Sequence, residues 1–107
     1  PLPKRYRYWL QLVADYGDAI RRWHELDGEA RWALLKASGS LRAEGDVLTL
    51  ARLMRVDGAR YAEIKNARER VRALSLDALA AQYRGTELGG AIRRAQIAEL
   101  LLTTIWV

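Results

Sequence analysis

The chain has 107 residues, half of them apolar and 29% charged, with a formal net charge of +5. That is enough for one domain with a single core, and too little for a self-sufficient polymerase or dehydrogenase. Zero cysteines exclude a disulfide framework, a thiolate nucleophile and a zinc site built on sulfur, and one histidine, His24, excludes a histidine-rich metal site.

No run of about 18 apolar residues is present to span a bilayer, and no basic segment leads into an apolar stretch with a small-residue cleavage site. Because it begins with Pro1, the chain reads as processed or as an excised piece of something longer. The positive balance favours polyanionic partners such as nucleic acid or an acidic membrane surface. Divided at Gly58, the chain carries 10 basic and 8 acidic residues before that point and 8 and 5 after it, so neither half is a basic tail.

Two prolines, both before Lys4, and abundant Ala, Leu and Arg favour helix almost throughout. The first helix is expected over Lys4–Ala14, with Tyr6, Trp9, Leu10 and Val13 at core spacing, until Asp15-Tyr16-Gly17-Asp18 interrupts it. Asp18 then caps a short helix over Ala19–Leu26 that turns Ile20 and Trp23 inward. Asp27-Gly28 ends that one before a third carrying Ala30, Leu34 and Leu35, and Ser38-Gly39-Ser40 breaks the chain again.

After a loop through Glu44-Gly45, Asp46 is placed as the N-cap of "VLTLARLMRV", whose Leu50, Leu53 and Met54 face the core. Asp57-Gly58 stops it. From Arg60 to Leu74, Tyr61, Ile64, Ala67, Val71 and Leu74 form a 3-3-4-3 stripe, with Lys65, Arg68, Arg70 and Arg72 on other faces. Ser75 or Asp77 caps a short "ALAAQY". The last helix puts Leu88, Ala91, Ile92, Ala95, Ala98 and Leu102 on one face. No segment alternates as a strand does and no repeat is visible. The expectation is an all-α array of six or seven short helices in a single compact domain over residues 1–107.

Few motifs could carry chemistry. "GSLRAEGD" holds Glu44 and Asp46 with one residue between, a spacing that can serve two divalent ions. Here the pair sits in a glycine-broken loop instead of on a rigid strand, and Asp46 is more simply a cap. His24 and Glu25, adjacent on a helix, do not face each other. In "KRYRYW", cations and aromatics interleave as on a stacking surface, but Tyr6 and Trp9 fit a buried stripe, leaving Arg5, Arg7 and Tyr8 solvated or available for a phosphate. "YRGTELGGAIRRAQIAEL" is the best candidate. Gly85 turns the chain, Thr86 can cap the new helix, and its free first-turn N–H groups carry partial positive charge. Gly89 and Gly90 allow close approach, either of a sugar-phosphate backbone or of a neighbouring helix. Arg84, Arg93 and Arg94 add permanent cations, and Glu87 opposes them.

The stretch "AAQYRGTELGGAIRRAQIAEL", Ala80 to Leu100, resembles the carboxyl-terminal signature of bacterial CCA-adding enzymes, the tRNA nucleotidyltransferases: a glycine, proline, any residue, isoleucine and glycine ahead of an arginine-rich helix. Here it reads Gly85, Thr86, Glu87, Leu88, Gly89, then Ala91-Ile92-Arg93-Arg94-Ala95. "KRYRYWLQLVADYGDAIRRWHELDGEARWALLKASGSLR" is similar to the family's upstream helical segment, so the likeness runs from about Lys4 to Leu100. Thr86 stands where the family has proline, "RVDGARYAEI" follows its pattern loosely, and "LLTTIWV" reads as an apolar end that packs on the core.

The resemblance implies a cytoplasmic, helical tail domain that holds tRNA while an amino-terminal head, absent from this chain, adds CMP and AMP using Mg, ATP and CTP. The chain itself would have no cofactor and no catalytic residue; its partners would be tRNA, the amino-terminal domains of the parent protein and, in a dimer, a second copy, with no membrane. Arg84, Gly85, Thr86, Gly89, Arg93 and Arg94 are the expected phosphate contacts, with Arg68 and Arg72 as further candidates. Two alternatives stand beside this: a helical scaffold or dimerisation domain that does not touch RNA, and the tail of a poly(A) polymerase-like relative or an inactive paralogue.

Overall fold

The computed structural model describes residues 3–41, 43 and 45–105, the last four through their backbone. Six α-helices form there and no strand: α1 (Lys4–Arg21), α2 (Gly28–Ala37), α3 (Val47–Leu53), α4 (Gly58–Ala73), α5 (Asp77–Gln82) and α6 (Thr86–Ile105), with a 3-10 turn at Trp23–Glu25. The sequence pattern thus anticipates the all-helical class and the number of helices. Its boundaries shift for definable reasons.

The expected break at Asp15-Tyr16-Gly17-Asp18 does not occur, and α1 runs through it. Gly17 is buried because the end of α3 lies against it: a Cβ there would stand 2.9 Å from Met54 Sδ. A mid-helix glycine costs roughly 1 kcal/mol against alanine, and the close packing of α1 on α3 offsets it. Asp18, expected as a cap, is instead exposed and pairs with Arg22 at 3.2 Å, a surface pair worth at most about 1 kcal/mol. The inward face of α1 is Trp9, Leu12, Val13, Tyr16 and Ile20, a 3–4 spacing that continues across the glycine. Tyr6 and Leu10, expected in the core, are 64% and 58% exposed, as is Leu53 of α3 at 55%.

Asp27 and Asp57 each do the opposite of what their Asp-Gly pairs suggest. Each opens a helix. Asp27 Oδ1 accepts the Ala30 N–H at 2.8 Å, and Asp57 Oδ1 accepts the Arg60 N–H at 2.8 Å, caps worth about 1 kcal/mol apiece. Asp46, by contrast, stands ahead of α3 without capping it through its side chain. Its carboxylate accepts the Tyr8 hydroxyl at 2.8 Å. Burial first, then the Asp46 hydrogen bond and charge, push the Tyr8 phenol up to about 12. The cap comes from Ser40, whose Oγ accepts the Val47 N–H at 3.2 Å. Ser38 and Ser40 are both buried, 2.9 Å apart through their hydroxyls, and the Ser38 carbonyl accepts the Asp46 N–H at 2.8 Å. The serine-glycine break is therefore a buried knot. Glu44, the other half of the acidic pair, lies outside the described residues, as do the Leu102 side chain and the end of "LLTTIWV".

The core joins Leu12, Ile20, Trp23, Leu34, Leu35, Val47, Leu50, Ile64, Ala67, Val71 and Leu100. Helix α6 packs on α4 and on α2. Its inward face passes through Ala91, Gln96 and Leu100, whereas Ala98, expected there, is exposed. At the α2–α6 crossing Gly28 is required, since a Cβ would approach Ile97 Cγ2 to 2.7 Å and the Ile97 carbonyl oxygen to 3.2 Å.

Two arginines lie inside. Arg31 is fully buried: its Nε donates to the Trp23 carbonyl at 3.2 Å, its Nη1 donates to the Leu100 carbonyl at 3.0 Å, and its guanidinium carbon stands 5.0 Å from the Trp23 ring centroid. Burial pulls its pKa down from the ordinary guanidinium value. Arg68, expected on an outer face of α4, is 6% exposed.

Two substitutions test this packing in urea unfolding. Arg31→Ala removes both guanidinium hydrogen bonds and leaves a cavity beside the Trp23 ring, lowering stability by about 3 kcal/mol; a loss below about 1 kcal/mol would show that the arginine is not a tie. Gly28→Ala destabilises by about 1–3 kcal/mol through overpacking, and an unchanged midpoint would contradict the close crossing.

Candidate functional site

Between α5 and α6 the chain extends at Tyr83, passes Arg84 and turns at Gly85, whose φ of +60° falls in the left-handed region that favours glycine. Helix α6 starts at Thr86, so Thr86 is its first helical residue and Gly85 occupies the cap position expected for Thr86. The Gly85 carbonyl accepts the Gly89 N–H at 3.4 Å. Arg84, Gly85, Thr86 and Glu87 are all exposed. Arg84 makes no ion pair or side-chain hydrogen bond among the described residues.

The two roles left open for the glycine pair now separate. A Cβ on Gly89 would meet nothing within 4 Å, and one on Gly90 would meet only the Arg94 guanidinium, at 3.3 Å. Among the described residues no helix packs closely on either glycine; tight packing on α6 belongs to Gly28. Gly89 instead opens onto a cleft of about 370 Å³ whose other walls include Trp32 and Lys36 of α2 and Ile92, Arg93 and Gln96 of α6. The Trp32 indole N–H donates to Gln96 Oε1 at 2.8 Å, which fixes the ring across the two helices. Two cations attend that ring, Arg93 at 4.8 Å and Lys36 at 5.1 Å from its centroid. Arg93 also lies 3.9 Å from the exposed carboxylate of Glu29, a distance at which water screens most of the attraction.

A second cleft, of about 450 Å³, shares Leu41, Ile92 and Gln96 with the first and continues to Val71, Arg72, Leu74 and Leu76. Together they make a groove along α6, apolar at its middle, with Lys36 and Arg93 toward one end and Arg72 toward the other. Of the residues singled out in the sequence, the structure brings Gly89, Arg93 and Arg72 to this groove. Arg84, Gly85 and Thr86 lie at the start of the same helix, and Arg94 reaches back over Gly90 beside it. Arg68 is withdrawn: a side chain buried against the core is not a surface phosphate contact. Trp32, Lys36 and Gln96 were missed. The available signal was the i, i+4 spacing of Trp32 and Lys36, which puts them on one face of α2.

Among the described residues no group of three or more His, Cys, Asp or Glu side chains could hold a metal ion, and no helix is long and apolar enough to cross a membrane. The chain matches no protein-family model, no curated protein and no solved structure.

Because Gly89 has open space where a side chain would stand, Gly89→Ala should stabilise the fold by roughly 0.5–1 kcal/mol in urea unfolding, through helix propensity alone. Destabilisation would mean that the glycine serves packing within the chain after all.

Proposed function

We propose that the chain binds RNA along the α6 groove, as the helical tail of a tRNA nucleotidyltransferase that positions tRNA for CMP and AMP addition by a separate catalytic head. The observation that carries the RNA-binding reading is the Trp32 ring flanked by Lys36 and Arg93 above an open glycine. An aromatic face beside two cations is the composition that takes a stacked base and its phosphate together. In the free protein the cations rest on the ring; a phosphate draws them to its oxygens and leaves the indole face to a base. Arg72 at the far end, and Arg84 and Arg94 near the helix start, extend the charge along a path suited to a sugar-phosphate chain.

The tRNA partner, the Mg, ATP and CTP chemistry of the head and a cytoplasmic setting follow from the resemblance in the Ala80–Leu100 segment. This chain's own part is to bind and orient. A second reading is favoured by Tyr6, Leu10 and Leu53, large apolar side chains left exposed on α1 and α3: such side chains suit docking onto the rest of a parent protein or onto a second copy, with the domain acting as a scaffold.

Binding to an unfractionated tRNA pool and to duplex DNA of similar charge, at two salt concentrations, separates the readings. Salt-sensitive binding that prefers tRNA is expected. Lys36→Ala/Arg93→Ala and Arg93→Ala/Arg94→Ala should each weaken it by at least about tenfold and flatten the log affinity against log salt slope by about 1.5. Unchanged affinity in a double variant that still folds would sink the groove as the RNA site, and absence of binding by the wild type would favour the scaffold.

A further inference from the structure

A separate pocket of about 430 Å³ lies between the end of α1 and the turn from α3 into α4, lined by Arg21, His24, Arg55, Asp57 and Arg60 together with Met54. It shares no residue with the α6 groove. Its charges are unevenly spent. The Asp57 carboxylate caps α4, and the Arg60 guanidinium is paired with Glu63. Arg21 donates through Nε to the Met54 carbonyl at 3.1 Å and meets no carboxylate among the described residues. The Arg55 side chain makes no ion pair and no hydrogen bond among the described residues. Two guanidinium groups thus line the pocket without an anion of their own.

The backbone at Arg55 points the same way. Its φ is +55°, the one positive value at a non-glycine position among the described residues. It closes α3: the Arg55 N–H donates to the Arg52 carbonyl at 3.1 Å and the Val56 N–H to the Ala51 carbonyl at 3.2 Å. This paired closure calls for one left-handed residue, which is usually glycine because a Cβ is strained there. The sequence spends an arginine at a position where glycine would be more stable. Strain kept against an easy remedy is a mark of a side chain in use.

We propose that this pocket binds a phosphate group between Arg21 and Arg55, and that Arg55 is kept in its left-handed conformation to present its guanidinium there. Guanidinium forks match phosphate oxygens bidentately, and His24 supplies a further ring nitrogen at the lining. The phosphate is either a phosphodiester of RNA, in which case the inference rests on the function proposed above, or a small free anion.

The test follows the arginine Nε–Hε and backbone amide resonances of the full chain during titration with inorganic phosphate, with sodium chloride at matched ionic strength as reference, and separately with single-stranded oligouridylate. Saturable shifts at Arg21 and Arg55 are expected with phosphate. Arg55→Gly should raise Tm by about 5 °C while weakening phosphate binding at least about fivefold. Shifts with both probes assign the phosphodiester and shifts with phosphate alone assign a small anion; shifts with oligouridylate alone also support the site, as one that needs the chain. No saturable shift beyond chloride with either probe overturns the proposal, as does an Arg55→Gly protein that binds phosphate like the wild type or that loses stability. Failure here leaves tRNA binding by the α6 groove standing, and phosphate binding here without tRNA binding would sink only the groove.

Discussion

A guanidinium taken fully out of water must find its acceptors inside the protein, and Arg31 finds them on backbone far apart in sequence. Through one head it holds the 3-10 turn after α1, at the Trp23 carbonyl, and α6, at the Leu100 carbonyl, while its own stem belongs to α2. The Trp23 ring lies under the charge and supplies part of what water no longer does. Such a group adds little to stability compared with a well-packed apolar replacement, but it is demanding about geometry. With α2 and α6 tied at Leu100 and pressed together at Gly28, the relative setting of the two helices is fixed. The cleft at their other end, between Trp32 and Arg93, is shaped by that setting.

The same crossing explains why the groove is open. Gly28 brings α2 against Ile97 in the second half of α6. Toward the first half the contact gives way to the Trp32–Gln96 hydrogen bond, and a Cβ at Gly89 would meet no atom of the described residues within 4 Å. Trp32, Lys36 and Arg93 line the opening there, with Leu41 and Ile92 beside them. The proposed RNA contact surface is thus what is left over when one end of a helix pair is packed and the other is not.

Much of the fold was legible in the sequence, because 3.6-residue apolar spacing and the paucity of proline specify helices directly. What was not legible depended on partners distant in sequence. Asp15-Tyr16-Gly17-Asp18 has the composition of a break, and only Met54 makes Gly17 a packing residue. Asp27-Gly28 and Asp57-Gly58 look like stops until the N–H groups three residues on are seen to be held by the aspartates. Arg68 was read as surface charge and Arg31 was not singled out at all, because nothing local reveals a buried guanidinium. In the candidate site, Gly89 and Arg93 were found from their own stretch. Trp32 and Lys36 were not, since their meaning comes from an arginine about sixty residues further on. Arg55 was read as ordinary helix, and its left-handed backbone has no signature in residue type.

Helix α6 carries both the packing of the domain and the open flank on successive residues: Ala91 is buried and Arg93 faces out, then Gln96 is buried again. Each residue along a helix advances about 100° around its axis. One residue gained or lost between Gly90 and Gln96 would therefore turn the two ends of the helix about 100° relative to each other, so that Ala91 and Leu100 could no longer both face the core. Length here is as constrained as identity, and variation in chain length has to be absorbed outside this segment, in the connections between helices.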